Sequence, residues 1–289
     1  MRRAEHLQAT LATRARDIAA GLGDGSVGIS VFDYLSGFAW DMDGDRWFHA
    51  ASTIKIAILA ALFDAIEHGR FTLESRLHVR NRFLSALGRE PFRVDTRRDA
   101  DADVHAAIGK TMRVGDLARH MIVRSSNLAA NLLLDLVGVD ETRAALAARA
   151  ISGIDVCRGV EDERAFQAGL NNQVTADGIV ALLRAIRDGR GFSADSSAAM
   201  IDMMMGQEFA GGIAPGLPDA IRAVARVAHK TGDISTVSHD AGLVFLPGRP
   251  PYVVAILVAC AGDASARADA LTAISGVVYD VVAAAGEAA

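Results

Sequence analysis

Cysteine is scarce in this chain: Cys157 and Cys260 are the only two in 289 residues. Thiols so far apart in sequence do not make a disulfide framework, and free, buried thiols are the expectation. Basic residues never gather into a block. The formal net charge of −5 gives no support to nucleic-acid binding. The stretch "RVDTRRDADAD" (93–103) alternates in sign and carries no net field, so it reads as a solvated loop. Long apolar runs are missing too, none approaching the roughly 20 residues that span a bilayer. The amino terminus, "MRRAEHLQATLATRARDIAA", begins basic but has no apolar signal core. The chain as it stands is therefore expected to be cytoplasmic, or periplasmic or secreted where a signal was removed ahead of Met1. His6, His49, His68, His78, His105, His120 and His229 show no ligand spacing, so neither a metal nor a cofactor is expected.

What is present is apolar material for a sizeable core: 51% hydrophobic residues against 22% charged, an ordinary globular balance. Leu7, Leu11, Ala12, Ala15, Ile18 and Ala19 recur at helical spacing, and "GLGDG" (21–25) stops that helix. The glycines follow a helix rather than a strand, which argues against a phosphate loop. Segments 26–37 and 38–50 alternate like strands. "DMDGD" (41–45) within the second segment lacks the spacing and closing glutamate of a calcium loop and reads as a hairpin turn. From Ser52 to about Pro215 helices dominate, several beginning at Ser, Thr or Asp and ending at Gly. Met203–Met205 read as helical core filling. Strands return after Arg222, with Gly248 and Pro250-Pro251 marking a turn, and an amphipathic helix closes the chain. The simplest packing joins 1–51 and 217–289 into one α/β domain, with 52–216 inserted as a helical domain and a site between them.

Three short motifs fall in order: Ser52-Thr53-Ile54-Lys55, Ser125-Ser126-Asn127 and Lys230-Thr231-Gly232. Each is common alone. Together, two opening helices and one ending a strand, they form the motif set of the serine β-lactamases and penicillin-binding proteins. Over nearly its whole length the chain resembles class A serine β-lactamases and the wider penicillin-interacting serine hydrolases. The resemblance implies an α+β fold with an antiparallel sheet, flanked by the first and last helices and carrying an inserted all-helical lobe. Physical chemistry accounts for the first motif. Ser52 at a helix start meets unpaired N–H groups that favour developing negative charge. Lys55 lies one turn on among Ile54, Ile56, Ile58 and Leu59, where desolvation lowers its pKa and lets a neutral amine take the serine proton.

The other roles are implied by the resemblance. Ser125 relays a proton to the leaving group, Asn127 holds the substrate amide, and Lys230 supplies positive charge near Ser125 and the substrate carboxylate. Thr231, followed by Gly232, donates to that carboxylate, and the backbone N–H groups of Ser52 and Asp233 form the oxyanion hole. Three departures stand out. Ser126 occupies a position where the family usually has a structural aspartate. Counting back from Thr175 identifies Glu161 as the deacylating glutamate, one residue short of the usual loop length. The asparagine expected four residues later is Ala165, with Asn171 or Asn172 as spatial substitutes. After Lys230 there is no arginine for the carboxylate, and His239 either contributes charge when protonated or hydrogen-bonds to Asp240. The activity implied is hydrolysis of a β-lactam ring, a small-molecule substrate, through an acyl-enzyme. A D-alanyl peptidase or esterase shares Ser52, Lys55, Ser125 and Lys230 and needs no such glutamate. A penicillin-binding sensor or trap would be acylated without turnover.

Overall fold

A computed structural model describes residues 2–287. In chain order its main elements are α1 (Arg2–Ala20), β1 (Ser26–Asp33), β2 (Ala39–Met42), α2 (Ile54–Glu67), α3 (Val114–Val123), α4 (Asn127–Val137), α5 (Val139–Ala147), α6 (Ala176–Asp188), α7 (Ala194–Met205), β3 (Arg226–Ile234), β4 (Val237–Phe245), β5 (Tyr252–Ala259) and α8 (Ala264–Gly286). A single 3₁₀ turn, Ala51–Thr53, runs directly into α2. The chain forms two compact units. One contains residues 1–53, 174–184 and 209–289; the other contains 54–173 and 185–208. The sequence places 52–216 in the helical domain, whereas here 52–53, 174–184 and 209–216 belong with the sheet.

In the first unit the sheet is antiparallel throughout, ordered β3-β4-β5-β1-β2. Its central strands are buried on both faces, which is why "YVVAILVA" of β5 is apolar without alternation. One face packs on α1 and α8: Val27, Ile29 and Val31 of β1 and Val254, Ile256 and Val258 of β5 meet Leu11, Ala15, Ile274, Val278 and Val282. The two-residue spacing of the strand set and the turn spacing of the helix set are what put each on a single face. By length and composition α8 is apolar enough to cross a membrane, yet half of that stretch is buried in this packing. Arg267 of α8 is fully buried and ties the β3–β4 end of the sheet to the helix. Its guanidinium donates to Ile234 O (3.1 Å), Ser238 Oγ (3.0 Å) and Cys260 O (2.8 Å).

The second unit is built around α2. From Ile54 to Phe63 every side chain of that helix is buried, and α3, α4, α5 and α7 pack around it. A helix apolar on all sides has to lie at the centre of a bundle. Of the three methionines expected in the core, Met203 and Met204 are buried and Met205 is half-buried; Met200 is buried as well. Both cysteines are free, and each is half-buried rather than buried.

Candidate active site

In the sheet unit, Ser52 is half-buried on the Ala51–Thr53 turn. The turn is set by Ala51, whose φ of +44° lies in the left-handed region that side-chain-bearing residues rarely occupy. His49 Nδ1 holds it by accepting from Ala51 N at 3.0 Å. Strand β3 runs against the turn at Gly232. A Cβ there would sit 3.1 Å from both Ser52 N and Thr53 N and 3.2 Å from Ala51 Cβ, so only glycine lets the strand come this close. Replacing Gly232 by valine is expected to lower the melting temperature by about 5 °C. An unchanged melting curve would mean that the strand and turn do not touch. Lys230, two residues earlier on β3, is fully buried and donates to Thr231 O at 3.0 Å. Thr231 is half-buried and Asp233 exposed.

In the helical unit, the Lys55 side chain is fully buried. It donates to Ser125 O (2.6 Å), Asn127 Oδ1 (2.8 Å) and Ser125 Oγ (3.2 Å). Burial pulls its pKa down while the charges of Asp99 and Glu161 pull it back up, leaving it at about 7. Ser125 takes a φ of +57° just before α4, whose first residue is Asn127. Asn127 also points the other end of its amide at the long loop: Nδ2 donates to Glu161 Oε1 at 2.8 Å and to Arg98 O at 3.4 Å. Lys55, Ser125, Asn127 and Glu161 therefore form one connected hydrogen-bonded group. Left-handed backbone at non-glycine residues costs about 1–3 kcal/mol each and concentrates where geometry is functionally constrained. Ala51, Ser125 and Glu161 (φ +64°) are three of the six non-glycine residues so placed among the described residues, the others being Asp43, Arg89 and Ala150.

Glu161 is held by both oxygens, since Oε2 accepts from Asp95 N at 3.0 Å. Asn131 and Asp162, which carry no signal in the sequence, fix the loop carrying it together with Asn172. Asn131 of α4 accepts from Val160 N (2.7 Å) and donates to Val160 O (2.8 Å). The buried Asp162 caps the short helix Glu163–Gln167 through Ala165 N (3.2 Å) and reaches across to Ser85 Oγ and Ala86 N, both at 2.7 Å. Asn172 accepts from Cys157 N and Arg158 N and donates to Arg158 O, so its amide is committed to the loop. This corrects the expectation that Asn172 substitutes for the missing asparagine. Ala165 itself is fully buried.

Two further expectations are corrected. The sign-alternating run 93–103 is not wholly solvated: the side chains of Asp99 and Asp101 are completely buried. Asp99 accepts from Asn127 N (3.0 Å), Leu128 N (2.9 Å) and Ser126 Oγ (3.4 Å), supplying from a distant loop the carboxylate that the helix start lacks at Ser126. His239 neither carries charge nor pairs with Asp240. It is buried, its Nδ1 accepts from Val258 N (3.2 Å), its Nε2 donates to His49 O (2.9 Å), and burial lowers its pKa to about 4. Asp240 instead meets His229 Nδ1 at 2.7 Å and accepts from Gly212 N and Ile213 N, both at 3.0 Å. Among the described residues, Asp101, Asp103 and His120 bring possible ligand atoms within 4.8 Å of one another. Arg124 pairs with both aspartates, so a cation already stands against the group.

A family model described as "Beta-lactamase enzyme family" matches residues 10–282. Beta-lactamase L2 of Stenotrophomonas maltophilia is 35% identical over 114 residues, 39% of this chain and 33% of that protein, so the chain aligns with about a third of that relative's length. Among solved structures, a beta-lactamase from Sphaerobacter thermophilus superposes with a TM-score of 0.80 at 25% identity, covering 96% of this chain and 98% of that one. PBP-A superposes at 0.77 and 25% identity, covering 94% and 96%. A beta-lactamase from Xanthomonas campestris shares the fold with a TM-score of 0.82 at 23% identity, covering 96% and 98%.

Proposed function

The chain belongs to the beta-lactamase enzyme family, within the class A serine β-lactamase-like superfamily, and from that premise we propose that it opens β-lactam rings through an acyl-enzyme on Ser52. In this reading the Ser52 hydroxyl attacks the lactam carbonyl while the neutral Lys55 amine takes its proton. The backbone N–H groups of Ser52 and Asp233 bind the oxyanion, a contribution worth about 10²–10³ in rate in other serine hydrolases. Ser125 passes a proton to the departing lactam nitrogen, breaking the C–N bond. Lys230 and Thr231 bind the substrate carboxylate, and Glu161 takes a proton from the water that releases the acyl group. The observation that carries the reading is Lys55: a fully buried lysine whose pKa is lowered to about 7, hydrogen-bonded to Ser125 and Asn127 and placed one turn after a serine. A snorkelling surface lysine would have none of these properties.

One observation favours slow release of the acyl group. Both oxygens of Glu161 already accept hydrogen bonds, and buried Ala165 offers no second anchor for a water. A penicillin trap or a D-alanyl peptidase would share that trait. Intact mass spectrometry of the protein with a penicillin, sampled from seconds to hours beside Ser52→Ala, separates these cases. A transient adduct with accumulating penicilloate is the expected result. A lasting adduct would replace turnover with trapping, and no adduct on either protein would refute the assignment of Ser52.

A further inference from the structure

The start of α4 is served by two side-chain acceptors, each taking different backbone amides. Ser126 is already its N-cap, accepting from Ala129 N at 3.2 Å. Asp99, 28 residues before Asn127, adds a fully buried carboxylate that takes the two amides preceding that one, Asn127 N on Oδ1 and Leu128 N on Oδ2. The carboxylate is itself held in place. Asp101 N donates to Oδ1 (3.2 Å), while Ser126 Oγ (3.4 Å) and His105 Nε2 (3.0 Å) meet Oδ2. A neutral side chain could serve as a cap, as Ser126 does. What Asp99 brings is a negative charge anchored to the residue whose amide oxygen receives Lys55.

Resting on the reading of Lys55 as the proton acceptor for Ser52, we propose that Asp99 is a positioning residue that holds Asn127 against Lys55 and, by its charge, sets the pH at which that amine becomes neutral. Among the described residues, Asp99 meets Asn127, Leu128, Ser126, Asp101 and His105. It acts through the first residue of α4 and through its field. Glu161 is the other acidic charge that raises the lysine pKa against burial. Around Asp99 stand the His105 ring, which touches it, Asp101 beside it, and Arg98, whose guanidinium is turned to Glu163. Without Asp99, burial is opposed by Glu161 alone, and the amine should lose its proton at lower pH.

The chain's three lysines, Lys55, Lys110 and Lys230, make the test direct. With lysine labelled at the ε-carbon, Lys55 is assigned as the signal lost in Lys55→Met, and its titration is followed by NMR in the intact protein. Asp99→Asn is expected to move the Lys55 midpoint downward by about one pH unit, and the acid limb of penicillin acylation with it. Asp99→Ser, which keeps an acceptor but no charge, serves if the asparagine variant does not fold. A folded variant whose Lys55 midpoint stays at the wild-type value would overturn the proposal and leave Asp99 as a helix cap only. The titration needs no substrate. If penicillin fails to acylate the wild type, the proposed reaction falls while the coupling of Asp99 to Lys55 is still decided.

Discussion

Lys55→Met should slow acylation of Ser52 by a penicillin about 10²–10⁴-fold, the usual contribution of a positioned general base. The wild-type rate should rise with pH through about 7, where the buried amine loses its proton. Below that value the nitrogen is an ammonium with no lone pair to receive the serine proton. Above it the amine is neutral and acylation reaches its plateau. Lys55→Arg sharpens the test, because arginine keeps the charge and donors but stays protonated at any accessible pH. It should be as slow as the methionine variant. Stopped-flow acylation across pH 5–9 decides the matter: an arginine variant with wild-type rates would mean that Lys55 acts as a fixed charge, not as a base. The sign of the shift also bears on stability. A lysine whose folded pKa is lowered makes the native state shed its proton before the unfolded state does, so this residue contributes stability that increases as pH rises from about 7 toward 10.5. Lys55→Met should remove that increment from the pH dependence of unfolding.

Glu161→Gln should leave acylation within a few-fold of wild type at neutral pH yet slow release of the acyl group by about 10²–10⁴-fold. A transient penicillin adduct would become one that lasts for hours. Glutamine keeps the size of the side chain and one acceptor for Asn127 or Asp95, so the loop should hold its shape. It removes both the charge and the site for the water's proton. Because Glu161 also raises the Lys55 pKa, the same variant should move the acid limb of acylation to lower pH. The adduct lifetime, measured by mass after removal of excess penicillin, is the deciding quantity. An equal lifetime in both proteins would make Glu161 a structural carboxylate and require a different base for the water.

Much of this molecule was legible in the sequence because the relevant signals are local. Helix α1 announces itself by apolar spacing, β5 by an apolar run, and the turns by Gly23 and Gly248, which adopt the positive φ that glycine permits. The three motifs are equally local: a serine and a lysine one turn apart, an asparagine opening a helix, and a glycine where a strand presses on a turn. Even the buried lysine could be inferred, since Ile54, Ile56, Ile58 and Leu59 leave that helix no exposed side.

What only the tertiary structure decided are pairings between residues distant in the chain. Asp99 meets Asn127 across 28 residues, Asp162 meets Ser85 across 77, and Asn172 meets Cys157 across 15. In sequence, Asp99 sits in a run of alternating charge whose ordinary fate is solvation; its burial follows from two backbone amides and a histidine that fold toward it. His239 carried two readings at the sequence level, and both gave way to the carbonyl of His49 and the amide of Val258. The sequence by itself determined the elements and the order of the reactive groups, because these depend on spacing along one helix or strand. The structure alone decided which carboxylates stand close enough to tune the lysine, because electrostatic coupling depends on distance and burial and not on sequence position.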